Sequence, residues 1–433
     1  MTAFSRAVPP PDLPMRPSEL PTPEVQNLPN GLRLLTLPDP RAPVVEFRLV
    51  LPYGGRAYDH PEWVGLSGAA ARLLTAGTPT RSSFAIADEA DRYGGYLSAS
   101  ANTETATLSA RCLAPYCEPM TRLIAEVLLN PTFPPDEVEI DRANTLQRLR
   151  LQRSQPAFLA EERFRRALFG EHPYQRLAPD ENALQRWQTE HLQAFHAARY
   201  RPEGATLLVV GDFEPETLLR TLDDALGSWH GAAETAPLPA PTMQNAETGW
   251  LLVERPNSVQ SHLMLGTLCP PRSAPDSLAL QLAVSVLGAG ASSRLFLTVR
   301  EQYGYAYSVG AHLDFYLRVS AFTAEAQTAT ENTRDAVRQI NTEVERLINE
   351  PIPETELIAT RNYLIGRHII NRLTLGSLAD LYKQVVLYEL PLDYWRQYPD
   401  LLMALTAQEV QGAAAQYLQP DRFATVVVGE AIR

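Results

Sequence analysis

Arg300 and Tyr307 stand seven residues apart in this 433-residue chain, and both are residue types that can do chemistry. One is a fixed guanidinium cation and the other a phenol that donates a single hydrogen bond. Together they could hold a peptide carbonyl and the oxyanion that develops from it. Taken alone, the two residues favour a plain structural reading. Ser292 and Ser293 can cap a helix that Gly304 ends, which places Arg300 in its last turn, where a cation offsets the helix dipole, while Tyr307 could pack in a core. Metal chemistry finds little support. The eight histidines form neither H-x-x-E-H nor H-E-x-x-H, and His191 and His196, five apart, cannot share a helical face. Cys112, Cys117 and Cys269 are an odd and sparse set, read as buried free thiols. The GAGASS segment before the Arg300 helix lacks a complete phosphate-binding fingerprint, and GLSGA lacks the glycine at Ala69 that a nucleophile elbow needs. Ser67 is read there as a helix cap.

The second informative stretch is Gly65 to Thr78, GLSGAAARLLTAGT. Leu66, Ala69, Ala70, Leu73 and Leu74 fall at helical spacing, and Gly77 supplies a stop. Gly68, Ala71, Arg72 and Thr75 make the opposite face. Positions 68 and 72 stand one turn apart, the spacing at which an inverted zinc motif sets two histidines beside a glutamate. Glycine and alanine carry no donor atom there, and a guanidinium has no lone pair to give.

These stretches sit in a chain that repeats itself. Gly211 in LLVVGDFEPE and Gly429 in TVVVGEAIR are 218 residues apart, as are Pro52 and Pro270. LLNPTFPPDEVEI echoes LINEPIPETELI, with Pro131 and Pro351 separated by 220. The chain thus divides into a proline-rich arm over residues 1–24, a first lobe over 25–230, a linker over 231–245 and a second lobe over 246–433. The first lobe predicts strands at LRLLTLP, VVEFRLVL, Tyr96–Ala101, Glu104–Cys112 and Ala205–Val210. It predicts helices at Ser83–Tyr93, Cys117–Leu129, Pro135–Gln152 and Phe158–Phe169. The fold class is α+β, with antiparallel or mixed sheets carrying helices on one face.

With 45% apolar residues and 20% charged, the chain can bury large cores. A net charge of −12 argues against a nucleic-acid partner, and no apolar run approaches a membrane span. The first residues lack the apolar region of a secretory signal, so a cytoplasmic location is expected. Seven prolines from Pro9 to Pro23 favour polyproline II, read equally as a mobile tail or as an extended arm lying on a partner, with Leu13, Met15 and Leu20 as possible anchors.

The strings LPNGLRLLTLPDPRAPVVEFRL, GLSGAAARLLTAGT, ADRYGGYLSA, HPYQR, RYRPEGATLLVVGDFEPE, LGAGASSRLFLTVREQYGYAYSV and NYLIGRH occur in an order and spacing that resemble the pitrilysin or insulinase superfamily. The closest likeness is to its mitochondrial-processing-peptidase-like branch, from about Val25 to the end. The resemblance implies two tandem α/β-roll lobes forming half of a clam-shell. It puts the family's first histidine on Gly68, its glutamate base on Ala71, its second histidine on Arg72 and its third ligand near Gln147 or Arg148. It makes Arg300 and Tyr307 the pair that faces zinc across the chamber and helps bind substrate. Ser98-Ala99 after the double glycine departs from the family pattern, which weakens the expectation of a substrate strand adding along this edge. The resemblance implies the zinc-less subunit of a heterodimeric peptidase, with no cofactor of its own and zinc in a homologous partner. The alternative is a non-catalytic scaffold, like the core proteins of respiratory complexes.

Overall fold

The computed structural model describes residues 20–234, 238–242 and 246–431. Most of the proline-rich arm, with Leu13 and Met15, and parts of the linker lie outside the described residues. The first lobe runs β1 (Glu24–Asn27), β2 (Arg33–Pro38), β3 (Val44–Pro52), α1 (Leu66–Arg72), α2 (Ser83–Arg92), β4 (Tyr96–Ala101) and β5 (Thr105–Leu113). It continues through α3 (Cys117–Leu129), α4 (Pro135–Arg153), α5 (Pro156–Phe169), α6 (Glu181–Arg186), α7 (Thr189–Arg199), β6 (Thr206–Gly211) and α8 (Pro215–Leu226). The second lobe runs β7 (Gly249–Glu254), β8 (Gln260–Cys269), α9 (Ser277–Gly288), β9 (Ala306–Phe315), β10 (Ser320–Ala329) and α10 (Thr333–Asn349). It ends with α11 (Glu354–Ile370), α12 (Leu375–Leu387), α13 (Tyr394–Ala404), α14 (Ala407–Tyr417) and β11 (Ala424–Gly429).

The first sheet has the order β1-β2-β6-β3-β5-β4 and the second β7-β11-β8-β10-β9. In each, the pair that joins the lobe's first long strand to its last is parallel (β2 with β6, β7 with β11), and the other pairs are antiparallel. Strip β1 away and the two sheets have one topology. The fold is mixed α/β in two lobes, as the repeated strings predict.

Helices cover both faces of each sheet, not one. Val45, Phe47, Leu49 and Leu51 of β3 point into a core shared with α1, α3 and α8, while Val50 joins a second core with Leu208 and Val210 of β6. That second core contains Leu378, Leu381, Tyr382 and Val385 of α12, a helix from the other lobe. The exchange is reciprocal. Ala160, Phe164, Ala167 and Leu168 of α5 pack on Met264, Leu268, Val426 and Val428 of the second sheet. The central strands are therefore buried on both sides and read as continuous apolar runs, which hides the period-two pattern of a one-sided sheet. Leu20 is buried in the same inter-lobe core, and the Tyr382 hydroxyl donates to the Pro21 carbonyl at 2.5 Å. Leu20, expected as an anchor on a partner, is instead buried against this chain's own lobes.

Candidate functional site

Asp59 builds the start of α1. Its carboxylate accepts from the Gly65 N–H at 2.6 Å and the Ser67 N–H at 2.9 Å, tying down two donors that a helix start leaves free. Ser67, expected as the cap, is instead buried inside the first turn, and Gly65 takes the N-cap position at φ 103°. Only glycine suits that backbone, because a Cβ would come within 2.3 Å of Pro179. Burial pushes the Asp59 carboxyl up to about 6, against the pull of the two N–H bonds. The native state thus holds this proton more tightly than the unfolded chain. Its contribution to stability is complete below pH 4 and fades as the pH rises through about 6, a loss of about 3 kcal/mol. Denaturation of the wild type and Asp59→Asn from pH 4 to 7 should shift in the variant's favour by that amount. A gap that stays constant with pH would place the carboxyl at its ordinary value.

Along α1, Arg72 reaches across to α4. Its Nε and Nη2 bond Asp141 at 2.7 and 2.8 Å, and Nη2 also meets Thr145 Oγ1 at 3.2 Å. A Cβ on Gly68 would stand 3.2 Å from Arg72 Nη1, so the bare glycine leaves the space that the guanidinium takes. Ala71 is fully buried. Gly68, Arg72 and Arg148 line one cavity of about 330 Å³, closed by α4, the start of α5 and the Leu177–Pro179 loop. Of the two candidates for the third ligand position, Arg148 lines it, while Gln147 points to solvent. Glycine, alanine and two arginines do not fit a zinc ion, since none offers it a lone pair. Among the described residues, no group of three or more His, Cys, Asp or Glu is gathered to hold a metal.

The sequence reading missed Asp141. Asp141, Thr145, Arg148 and Gln152 recur along one face of α4, and that spacing was the available signal. The histidines serve the scaffold: His196 bonds the Leu128 carbonyl at 2.7 Å, and His191 accepts from the Gln188 N–H while resting on Trp63. The three cysteines are free, and burial pushes Cys112 and Cys269 up to about 12, which keeps them inert thiols.

Arg300 and Tyr307 lie in the second lobe and do not line this cavity. Arg300 belongs to a π-helical segment, Phe296–Gln302, where a plain helix was expected. Its wider winding closes with the Tyr303 N–H on the Thr298 carbonyl, and Gly304 at φ 65° ends it. Such insertions cluster at functional positions. The segment is pinned to α11 by Arg294, whose guanidinium grips Glu356 at 2.9 and 2.8 Å. Arg300 lies 4.7 Å over the Phe296 ring and 5.7 Å from that of Tyr307. Tyr307, on β9, is 78% exposed, so the core-packing alternative fails for it. The pair is adjacent, held by its element and open to solvent.

Residues 33–178 match the family described as insulinase (peptidase family M16), and residues 186–364 match the peptidase M16 inactive domain. The chain belongs to the M16 family. An uncharacterised zinc protease of Mycobacterium tuberculosis is 29% identical over 96% of this chain and 95% of its own length. An uncharacterised zinc protease of Rickettsia felis is 26% identical over 78% and 81%. Two solved structures carry the same M16 fold. A peptidase M16 inactive domain from Pseudomonas fluorescens superposes with a TM-score of 0.89 at 23% identity, over 95% of this chain and 98% of that one. A protease from Helicobacter pylori gives 0.85 at 20%, over 94% and 100%. No helix among the described residues is long and apolar enough to cross a membrane.

Proposed function

We propose that this chain is the zinc-less subunit of a two-subunit M16 peptidase. It contributes half of a closed chamber and the substrate-binding pair Arg300 and Tyr307, while a homologous partner supplies the zinc. The observation that carries the reading is the contrast between the two sites. At Gly68, Ala71 and Arg72 no metal ligand remains and Arg72 is paired with Asp141, whereas Tyr307 stands exposed to solvent with a guanidinium beside it. An exposed tyrosine on a strand costs apolar area and earns no packing, so a role in contacting another molecule accounts for it.

In the assembled chamber, Arg300 and the Tyr307 hydroxyl would donate to the carbonyl of a bound peptide and to the negative charge that grows on it. The experiment is to purify this chain and a homologous chain that contains H-x-x-E-H, and to follow cleavage of a quenched peptide by each alone and by the mixture. Cleavage should appear or rise sharply only in the mixture. A partner fully active alone and unaffected by this chain would defeat the proposal and leave the scaffold reading.

A further inference from the structure

We infer that the cavity at the disabled metal site is an anion site, and that it takes a carboxylate of a peptide. Replacing the metal ligands has reversed the demand of the site, from a cation held by donors to an anion held by guanidinium groups. Arg56, Arg72 and Arg148 all line the cavity against one acid, Glu161, with Ser67, Thr145 and Gln152 adding polar groups. The nearby acids each have their own arginine. Asp141 is held by Arg72, Glu161 bonds Arg165 at 2.9 Å, and buried Asp59 faces the charge of Arg176. Two cations are left over. Arg148 makes no ion pair among the described residues. Arg56 bonds the Leu177 carbonyl at 2.6 Å, but its Nε is buried with no hydrogen-bond partner. Burial, and next the charge of Arg165, pulls the Arg56 pKa down in spite of Asp59 and Glu161.

A guanidinium with a buried, unmet N–H is costly, and an oxyanion is the group that relieves it, since a carboxylate can accept two parallel N–H bonds. A dication would meet net repulsion in the same place. The opening is large enough for a side chain or a chain end. The carboxylate can come from an Asp or Glu side chain or from a peptide's C-terminus. This inference does not depend on the existence of a zinc-bearing partner, because it concerns binding by this chain alone.

The test is a fluorescence-anisotropy titration of the isolated chain with labelled peptides at low salt. One peptide has a Glu side chain and an amidated end, one has Gln in its place and a free C-terminal carboxylate, and one has Gln and an amidated end. At least one acidic peptide should bind about tenfold more tightly than the uncharged one, as a charge-assisted hydrogen bond implies. Which acidic peptide gains identifies the source of the carboxylate. The advantage should shrink with added salt and vanish in Arg148→Gln, whose side chain is exposed, with an unchanged circular-dichroism spectrum as the check that the fold is intact. Arg148→Glu should reverse the preference. Arg56→Gln should weaken both acidic peptides as well. Equal binding of all three peptides, no binding of any, or an acidic preference that survives in Arg148→Gln and Arg148→Glu would overturn the inference.

Discussion

Replacing Arg300 by Ala and Tyr307 by Phe together is expected to lower peptide cleavage by the two-subunit assembly by roughly 10²–10³-fold, in line with removing oxyanion-directed donors elsewhere. The loss should fall on kcat more than on KM, because these bonds strengthen only as charge develops on the carbonyl. Tyr307 is 78% exposed and the Arg300 side chain 41%, so neither change opens a buried cavity or strands a buried group. The melting temperature and the affinity for the partner should therefore stay at wild-type values. Activity measured against the wild-type mixture, with assembly checked by size-exclusion chromatography, separates a chemical loss from a failure to pair. Undiminished cleavage by the double variant would show that the pair is not used.

The second large effect concerns stability. Glu46→Ala is expected to cost about 3–5 kcal/mol, the range for breaking a buried ion pair by removing one partner. Glu46 is 0% exposed on β3. Its carboxylate bonds Arg48 Nη1 at 2.9 Å and also pairs with Arg111 of β5, while Arg48 reaches Asp380 of α12 at 3.3 Å. The acid is thus the hub on which a buried arginine depends, at the surface where the exchanged helix docks. α12 comes close enough that a Cβ on Gly376 would lie 3.1 Å from a Glu46 oxygen. Removing Glu46 leaves Arg48 buried with a half-exposed aspartate and the Phe47 carbonyl as its remaining partners. Urea denaturation followed by circular dichroism measures the cost. The double variant Glu46→Leu with Arg48→Met should recover much of it, because replacing a whole buried pair by apolar groups is nearly neutral. A loss below about 1 kcal/mol for Glu46→Ala would mean that water already solvates the cluster.

Much of this architecture was legible in the residues. Strands and helices announced themselves through branched and aliphatic runs and through Pro-Pro-Asp-Glu at the start of α4. The near-constant offset between echoes foretold two sheets of one topology. What escaped the reading depended on residues far apart in sequence. Nothing local in PAFLAEERFRRALF says that its apolar face belongs to the other sheet. The site divides the same way. The failure of Gly68, Ala71 and Arg72 as zinc ligands follows from side-chain chemistry alone. That Arg72 is satisfied by Asp141, and Arg56 is not satisfied, needs the helices assembled. The π-helical winding beneath Arg300 also escaped, because five- and four-residue hydrogen bonding share nearly one apolar pattern.

The helix exchange between the lobes carries a meaning for the chain's origin and its behaviour as a polymer. α5 and α12 stand at equivalent places in the two repeats, 219 residues apart, and each completes the sheet of the other half. Two copies of an ancestral half-length chain, swapping that helix around a twofold axis, would build the same object. The present protein has the architecture that such a swapped homodimer would have once its two chains were joined. Neither half expressed alone could cover its own sheet, and the whole should melt in one calorimetric step.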